Sequence, residues 1–320
     1  MIRSYLYNTQ TNTLKIGLPE SELVELVKDP NNIIWVDIES LEDEDVELLM
    51  NSFGLHPLTI EDCIMPNYRP KIEEFENYLF IILHAVEKNT NGHEPAEIDI
   101  CLGKNFLITL SSSKVKAIAS EQRRIEEKSP TMARGADFLF YSLLEALIEQ
   151  YSPVIEELDR KVDMFESKTL LESSTKMLTE IFDVQGELSK LRRMIYPQRD
   201  AIGRLSKGES QFIKPANALY FRDAYDHILR INDFIDSSRE ALTGALQEYG
   251  ELHSARLNEV MKTLTIVATV AMPAVLISSF YGMNLKMPEF SHRYGYHIVL
   301  AAIIISTAAM IFYIKKKKWI

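Results

Sequence analysis

Cysteine is nearly absent: the 320 residues contain two, Cys63 and Cys101. So sparse and separated a pair makes neither a disulfide framework nor a Cys-x-x-Cys metal knuckle, and it fits a chain kept in reducing surroundings. Histidine is scarce as well, at seven. His93-Glu94 is not completed to the His-Glu-x-x-His spacing that would put two imidazoles on one helical face around zinc. No glycine-rich loop ends in Gly-Lys-Ser or Gly-Lys-Thr, so a P-loop is not expected, and no enzyme signature is left. The opening MIRSYLYNTQ has no apolar core behind a basic start, so no secretory signal is expected there.

Charge of either sign is missing from two long stretches near the C-terminus. Thr263 to Leu285 runs for 23 positions without a charged residue, long enough to cross a hydrocarbon core of roughly 30 Å as a helix. A second uncharged stretch extends from Tyr294 to Ile314, after a link that holds Lys286, Pro288, Glu289 and Arg293. A link so short implies an antiparallel hairpin with both chain ends on one side. The run Lys315 to Lys318 marks that side as cytoplasmic. Phe280, Tyr281, Tyr294, Tyr296, Tyr313 and Trp319 stand where interfacial aromatic belts are expected.

What precedes the spans is acidic. Beyond Ser254 there are two acids against eight bases, leaving 44 acids and 27 bases upstream and a net charge of −17 on the head. Such a surface repels nucleic-acid phosphates and draws cations, although acidity also serves plain solubility.

The head changes character along its length. Segments starting at Ile2, Asn32, Tyr78, Glu97 and Asn105 are rich in β-branched and aromatic residues and read as strands of one sheet. Ser40 with Asp43 reads as a capping box for a helix that Gly54 closes, and a further helix starts near Ser113. From Ala136 the pattern is helical, with helices expected at about 136–170, 174–206 and from about 217 onward. Between Ala216 and Met272 there is no proline, so the last helix is expected to continue into the first span, roughly 98 Å in all. Gly244 and Gly250 read as tolerated helix glycines more readily than as a hinge. The chain thus divides into an α/β domain (1–133), a helical region and stalk (134–262), a first span (263–285), a link (286–293), a second span (294–314) and a basic tail (315–320).

A two-helix hairpin encloses no water path, and neither span carries a carboxylate or lysine for a proton relay, so any pore must be shared between copies. On the first span Asn258, Met261, Leu264, Ala268, Met272, Val275 and Ser279 recur at three and four spacing as a small, soft or polar stripe. Periodicity alone leaves that stripe equally a pore lining and a helix-packing face. The second span has only Ser306 and Thr307 as hydroxyls amid Ile and Ala and reads as lipid-facing.

Where the first span meets the link stands Tyr281-Gly282-Met283-Asn284, then Met287-Pro288-Glu289. In this setting the sequence resembles the CorA family of magnesium channels, whose signature is Gly-Met-Asn at the end of the first of two C-terminal spans. Arg69-Pro70-Lys71, Glu76-Asn77-Tyr78, Phe221-Arg222-Asp223, Asn258 to Lys262, Met272-Pro273 and the lysine run extend the match over essentially the whole chain. The chemistry is coherent: Mg2+ keeps its waters, so neutral amide carbonyls such as that of Asn284 can receive a hydrated ion without trapping it. Without the family, Asn284 would read as a helix C-cap.

The resemblance implies an α+β membrane protein assembled as a homopentameric funnel in the cell (inner) membrane of a bacterium or archaeon. Its filter would be Gly282, Met283 and Asn284, and its gate the span-one stripe. Mg2+ would be both the transported and the regulatory ion, with Co2+ and Ni2+ also carried. The regulatory ions would sit between neighbouring heads on Asp62 and Asp223, with Glu61 beside them. Read alone, these acids are ordinary solvent-facing or salt-bridging residues. Gln247 and Val275 stand where some members carry an acid and a hydroxyl, so an acid ring in the funnel is not implied. Two rival readings are a Zn2+ transporter of the same fold, possibly proton-coupled, and a membrane-anchored divalent-ion sensor or scaffold.

Overall fold

The structure is a computed structural model and describes residues 2–65, 69–89, 92–169, 175–283, 293–317 and 319. Two compact units divide the chain. One is formed by the residues up to Lys168 together with the segment ending at Gly244; the other begins at Ala245.

The first unit is built on a mixed sheet of β1 (Ile2–Asn8), β2 (Thr13–Ile16), β3 (Asn32–Glu39), β4 (Lys71–Glu74), β5 (Tyr78–Asn89), β6 (Gly92–Gly103) and β7 (Phe106–Ser111). Its order is β2-β1-β3-β7-β6-β5-β4, with β3 and β7 parallel and the remaining neighbours antiparallel. Alternation of side chains gives the central strands β3, β5, β6 and β7 two buried rows. On one face Ile34, Val36, Phe80, Ile82, Cys101, Ile108 and Leu110 form a core with α2 (Asp43–Phe53) and α3 (Pro57–Ile64). Against the other face lies α5 (Ala136–Glu149), which touches β3, β5, β6 and β7.

The expected strands are all present. Among the unannounced elements are the short edge strands β2 and β4, the seven-residue α1 (Glu20–Leu26) and the eight-residue α3, too brief to show a period. The cap of α2 differs from the expected one. Ser40 adopts φ 62, and the capping box is instead Glu42 with Asp45, while Gly54 closes the helix at φ 66 as expected. The fourth helix is α4 (Lys116–Glu126).

The expected single helix at 136–170 is two, α5 and α6 (Tyr151–Thr169), with Gln150 as the C-cap of α5. Pro153 fits the break: lacking an N–H, it is best accommodated in the first turn of a new helix, where that group has no partner to lose. Pro197 sits inside α7 (Thr175–Ser206) without ending it. Each of the long helices α6, α7 and α8 (Ala218–Tyr281) buries one stripe, such as Leu158, Val162 and Phe165, Ile181, Val184 and Leu188, or Ile228, Ile231 and Ile235.

In the second unit α8 continues without interruption through Gly250 and Pro273 to Tyr281, completing a helix of 64 residues. The other helix there is α9 (Gly295–Lys316). Both pass the length and apolarity test for membrane spans. Each has one partly covered stripe: Ile266, Val270, Ala274 and Ile277 on α8, and Val299, Ile303, Met310 and Ile314 on α9.

Candidate functional site

The span-one stripe can be placed in full. Asn258, Met261, Leu264, Ala268, Met272, Val275 and Ser279 are all exposed along α8, off the partly covered stripe. Their exposure is that of a face without a partner in the single chain. Ser306 and Thr307 lie on the partly covered side of α9, whereas Ile304 and Ile311 are exposed.

Helix α8 ends in a turn. The amide of Gly282 donates to the Ser278 carbonyl at 2.9 Å and that of Met283 to Phe280 at 3.4 Å. A Cβ at Gly282 would come within 3.1 Å of the Ser278 carbonyl oxygen, so glycine here permits a close backbone approach. Gly282 and Met283 are exposed; Asn284 lies outside the described residues, as do residues 285–292 of the link.

The candidate regulatory acids fall in the first unit, on separate elements. Glu61 and Asp62 are on α3, which begins at Pro57 with His56 Nδ1 accepting from the Leu58 amide. The hydroxyl of Tyr78 fixes this helix to β5, through the His56 amide at 3.0 Å and Thr59 Oγ1 at 2.7 Å. Glu61 is exposed. Asp62 accepts from Lys71 Nζ at 2.7 Å, and burial, which disfavours the ammonium, is outweighed there by Asp62 and Glu73, so Lys71 titrates above its ordinary value. An ammonium thus already rests on Asp62 within the single chain.

Asp223 lies on α8, within a group that the sequence did not announce. Glu145 of α5, Asp223 and His227 bring one ligand atom each to within 4.8 Å of one another. His227 Nδ1 is 2.9 Å from Glu145 Oε1, and its Nε2 is 3.9 Å from Asp223 Oδ2. Glu145 Oε2 is buried without a hydrogen-bond partner. Burial pushes the Glu145 carboxyl above its ordinary value against the pull of His227. Tyr141 is raised to about 12 by burial and then by Glu145 and Asp223. The neighbourhood is therefore rich in negative potential, and two carboxylates with an imidazole can bind a divalent cation.

Asp62 is not part of this group. One chain does not bring it together with Asp223. His227 was legible in hindsight, four residues after Asp223 and so on the same helical face. Glu145 carried no signal, because its place depends on how α5 packs on α8.

The sequence profile of the family described as CorA-like Mg2+ transporter protein matches residues 30–316. The Cobalt/magnesium transport protein CorA of Thermotoga maritima is 33% identical over 92% of this chain and 85% of its own length. Among solved structures, the complete CorA magnesium transporter of Methanocaldococcus jannaschii superposes with a TM-score of 0.83 at 23% identity, covering 100% of this chain and 99% of that one. Full-length CmaX gives 0.78 at 18% identity, over 98% and 96%.

The family match over residues 30–316, together with the two long apolar helices, defines a membrane transporter of divalent cations. The chain belongs to the CorA-like Mg2+ transporter family, a family of transporters and not of enzymes.

Proposed function

We propose that this chain forms a homopentameric channel that admits Mg2+, and with it Co2+ and Ni2+, through the cell membrane into the cytosol. Both termini lie on the cytosolic side, where the Lys315 to Lys318 run holds them. The first span, the link and the second span are residues 263–285, 286–293 and 294–314, as drawn from the charge pattern. Gly282, Met283 and Asn284 receive the hydrated ion, and the stripe from Asn258 to Ser279 lines its path.

One observation carries this reading. The exposed stripe runs along a single uninterrupted helix that starts in the acidic head and ends at Tyr281, just before Gly282. Several copies turned so that these stripes meet would enclose a path whose outer mouth is Gly-Met-Asn and whose inner end is the cation-attracting head. Bound to Asp62, Asp223 and Glu61 between neighbouring heads, cytosolic Mg2+ offsets repulsion and favours the closed state. Glu145 and His227 join Asp223 in that role. The imidazole also makes the site hospitable to Co2+.

Uptake into proteoliposomes, compared across Mg2+, Co2+, Ni2+ and Zn2+, tests the proposal. Asn284→Ala is expected to abolish Mg2+ uptake while assembly persists, since it removes the amide and little bulk. A well-assembled Asn284→Ala protein with wild-type uptake overturns the filter assignment.

A further inference from the structure

Beneath α3 lies a cavity of about 280 Å³, lined by Cys63 and Ile64 of α3, Glu97 and Asp99 of β6, and Ser111 at the end of β7. At about 30 Å³ per water, that is room for roughly nine waters, or for an ion with part of its hydration shell. Its donors belong to two elements. Asp99 and Glu97 are two residues apart on β6 and so project from the same face of the sheet. Cys63 comes from α3 above that face, where it packs against the core and lines the same cavity as Asp99.

Asp99 is an anomaly for a core strand. It is 5% exposed, and its Oδ1 has no hydrogen-bond partner. An unpartnered carboxylate oxygen in an apolar interior costs free energy and is ordinarily relieved by a bond or a cation. The cation at hand does not relieve it: Lys71 is committed to Asp62 at 2.7 Å and to Glu73 at 3.1 Å. Burial and then the Glu97 and Asp62 carboxylates push Asp99 up to about 8.

We propose that Cys63 and Asp99, with Glu97 beside them, form a second metal site in the head, one that selects a borderline-soft transition-metal dication such as Zn2+ or Co2+ over Mg2+. Sulfur sets the selectivity, because thiolate favours these ions while Mg2+ demands oxygen ligands and retains its waters. The metal displaces the protons of the Cys63 thiol and the Asp99 carboxyl, which pass to solvent. It also ties α3, the helix bearing Glu61 and Asp62, directly to β6. This site is distinct from the Glu145, Asp223 and His227 group, whose ligands are oxygen and nitrogen only.

That difference in ligands supplies the test. Full-length protein purified in detergent and freed of metal is titrated with Co2+ in the presence of a large excess of Mg2+, while near-ultraviolet absorbance is recorded. A saturable thiolate-to-cobalt charge-transfer band is expected in the wild type and in Cys101→Ser, and its loss in Cys63→Ser. In Asp99→Asn, which keeps size and shape, the titration is expected to shift to Co2+ concentrations roughly tenfold higher or more. A wild type without the band overturns the site, as does a band that survives Cys63→Ser or disappears with Cys101→Ser instead. Mg2+ uptake by the same preparation reports separately on transport, so failure of this site leaves that reading standing.

Discussion

His227 Nδ1 lies 2.9 Å from Oε1 of Glu145, and this contact joins the stalk helix α8 to α5 one turn beyond Asp223. The pair holds the imidazole so that its other nitrogen faces Asp223. A cation bound here therefore meets ligands already in place and loses little to ordering them.

Glu145→Gln is expected to weaken divalent binding to the head by roughly tenfold or more, as the loss of a charged ligand or a close outer partner commonly does. Calorimetric titration of the purified protein with Co2+ measures it. An affinity equal to wild type would remove Glu145 from the site.

Asp62 and Asp223 are assigned to one gating device although one chain keeps them on separate clusters. Replacing both with Asn is expected to leave conduction intact and to shift inhibition by cytosolic Mg2+ to higher concentration. Patch recordings with Mg2+ varied on the cytosolic face read the shift. An unchanged inhibition curve places sensing elsewhere in the head.

The exposed stripe on α8 predicts a labelling pattern. Cysteine introduced at 258 or 272 is expected to cross-link between copies or react with small water-borne thiol reagents, and cysteine at 304 on α9 to do neither. Equal labelling at 304 would sink the assignment of α8 as the lining helix.

Buried Asp37 gives a prediction in pH. It accepts from Thr109 Oγ1 and Gln122 Nε2, each at 2.7 Å, yet burial outweighs these bonds and raises it above the ordinary 3.8. The unfolded chain releases this proton from about pH 4 upward, whereas the folded chain holds it to a higher pH. Folding takes up a proton in that window, so Asp37's contribution falls as pH rises through it and then levels off. Asp37→Asn is expected to remove that portion of the decline. Thermal melts of wild type and variant across pH decide it, and parallel profiles would count against the effect.

Much of this molecule could be read in the chain because the relevant physics is local. Absence of charge over 23 positions locates a helix that can cross a bilayer wherever it is placed. Period-2 rows of β-branched residues gave the long strands, and a proline-free run gave α8, whose 64 residues begin two positions from where the pattern starts. The α8 stripe could be named because spacing on a helix fixes a face, whereas Gly282 and Met283 were named by the resemblance to the family's Gly-Met-Asn signature.

Tertiary structure decided what depends on distant segments meeting. Glu145 came beside Asp223 and His227 only when α5 packed on α8, and Cys63 came to line one cavity with Asp99 only when α3 closed over β6. Lys71 reached Asp62 because β4 folds back beside α3. Even the capping box of α2 moved from Ser40 to Glu42, because Ser40 turns with φ 62 as the chain leaves the sheet. Periodicity records which face of an element is buried; it does not record which other element will bury it, and polar sites are made from that second fact.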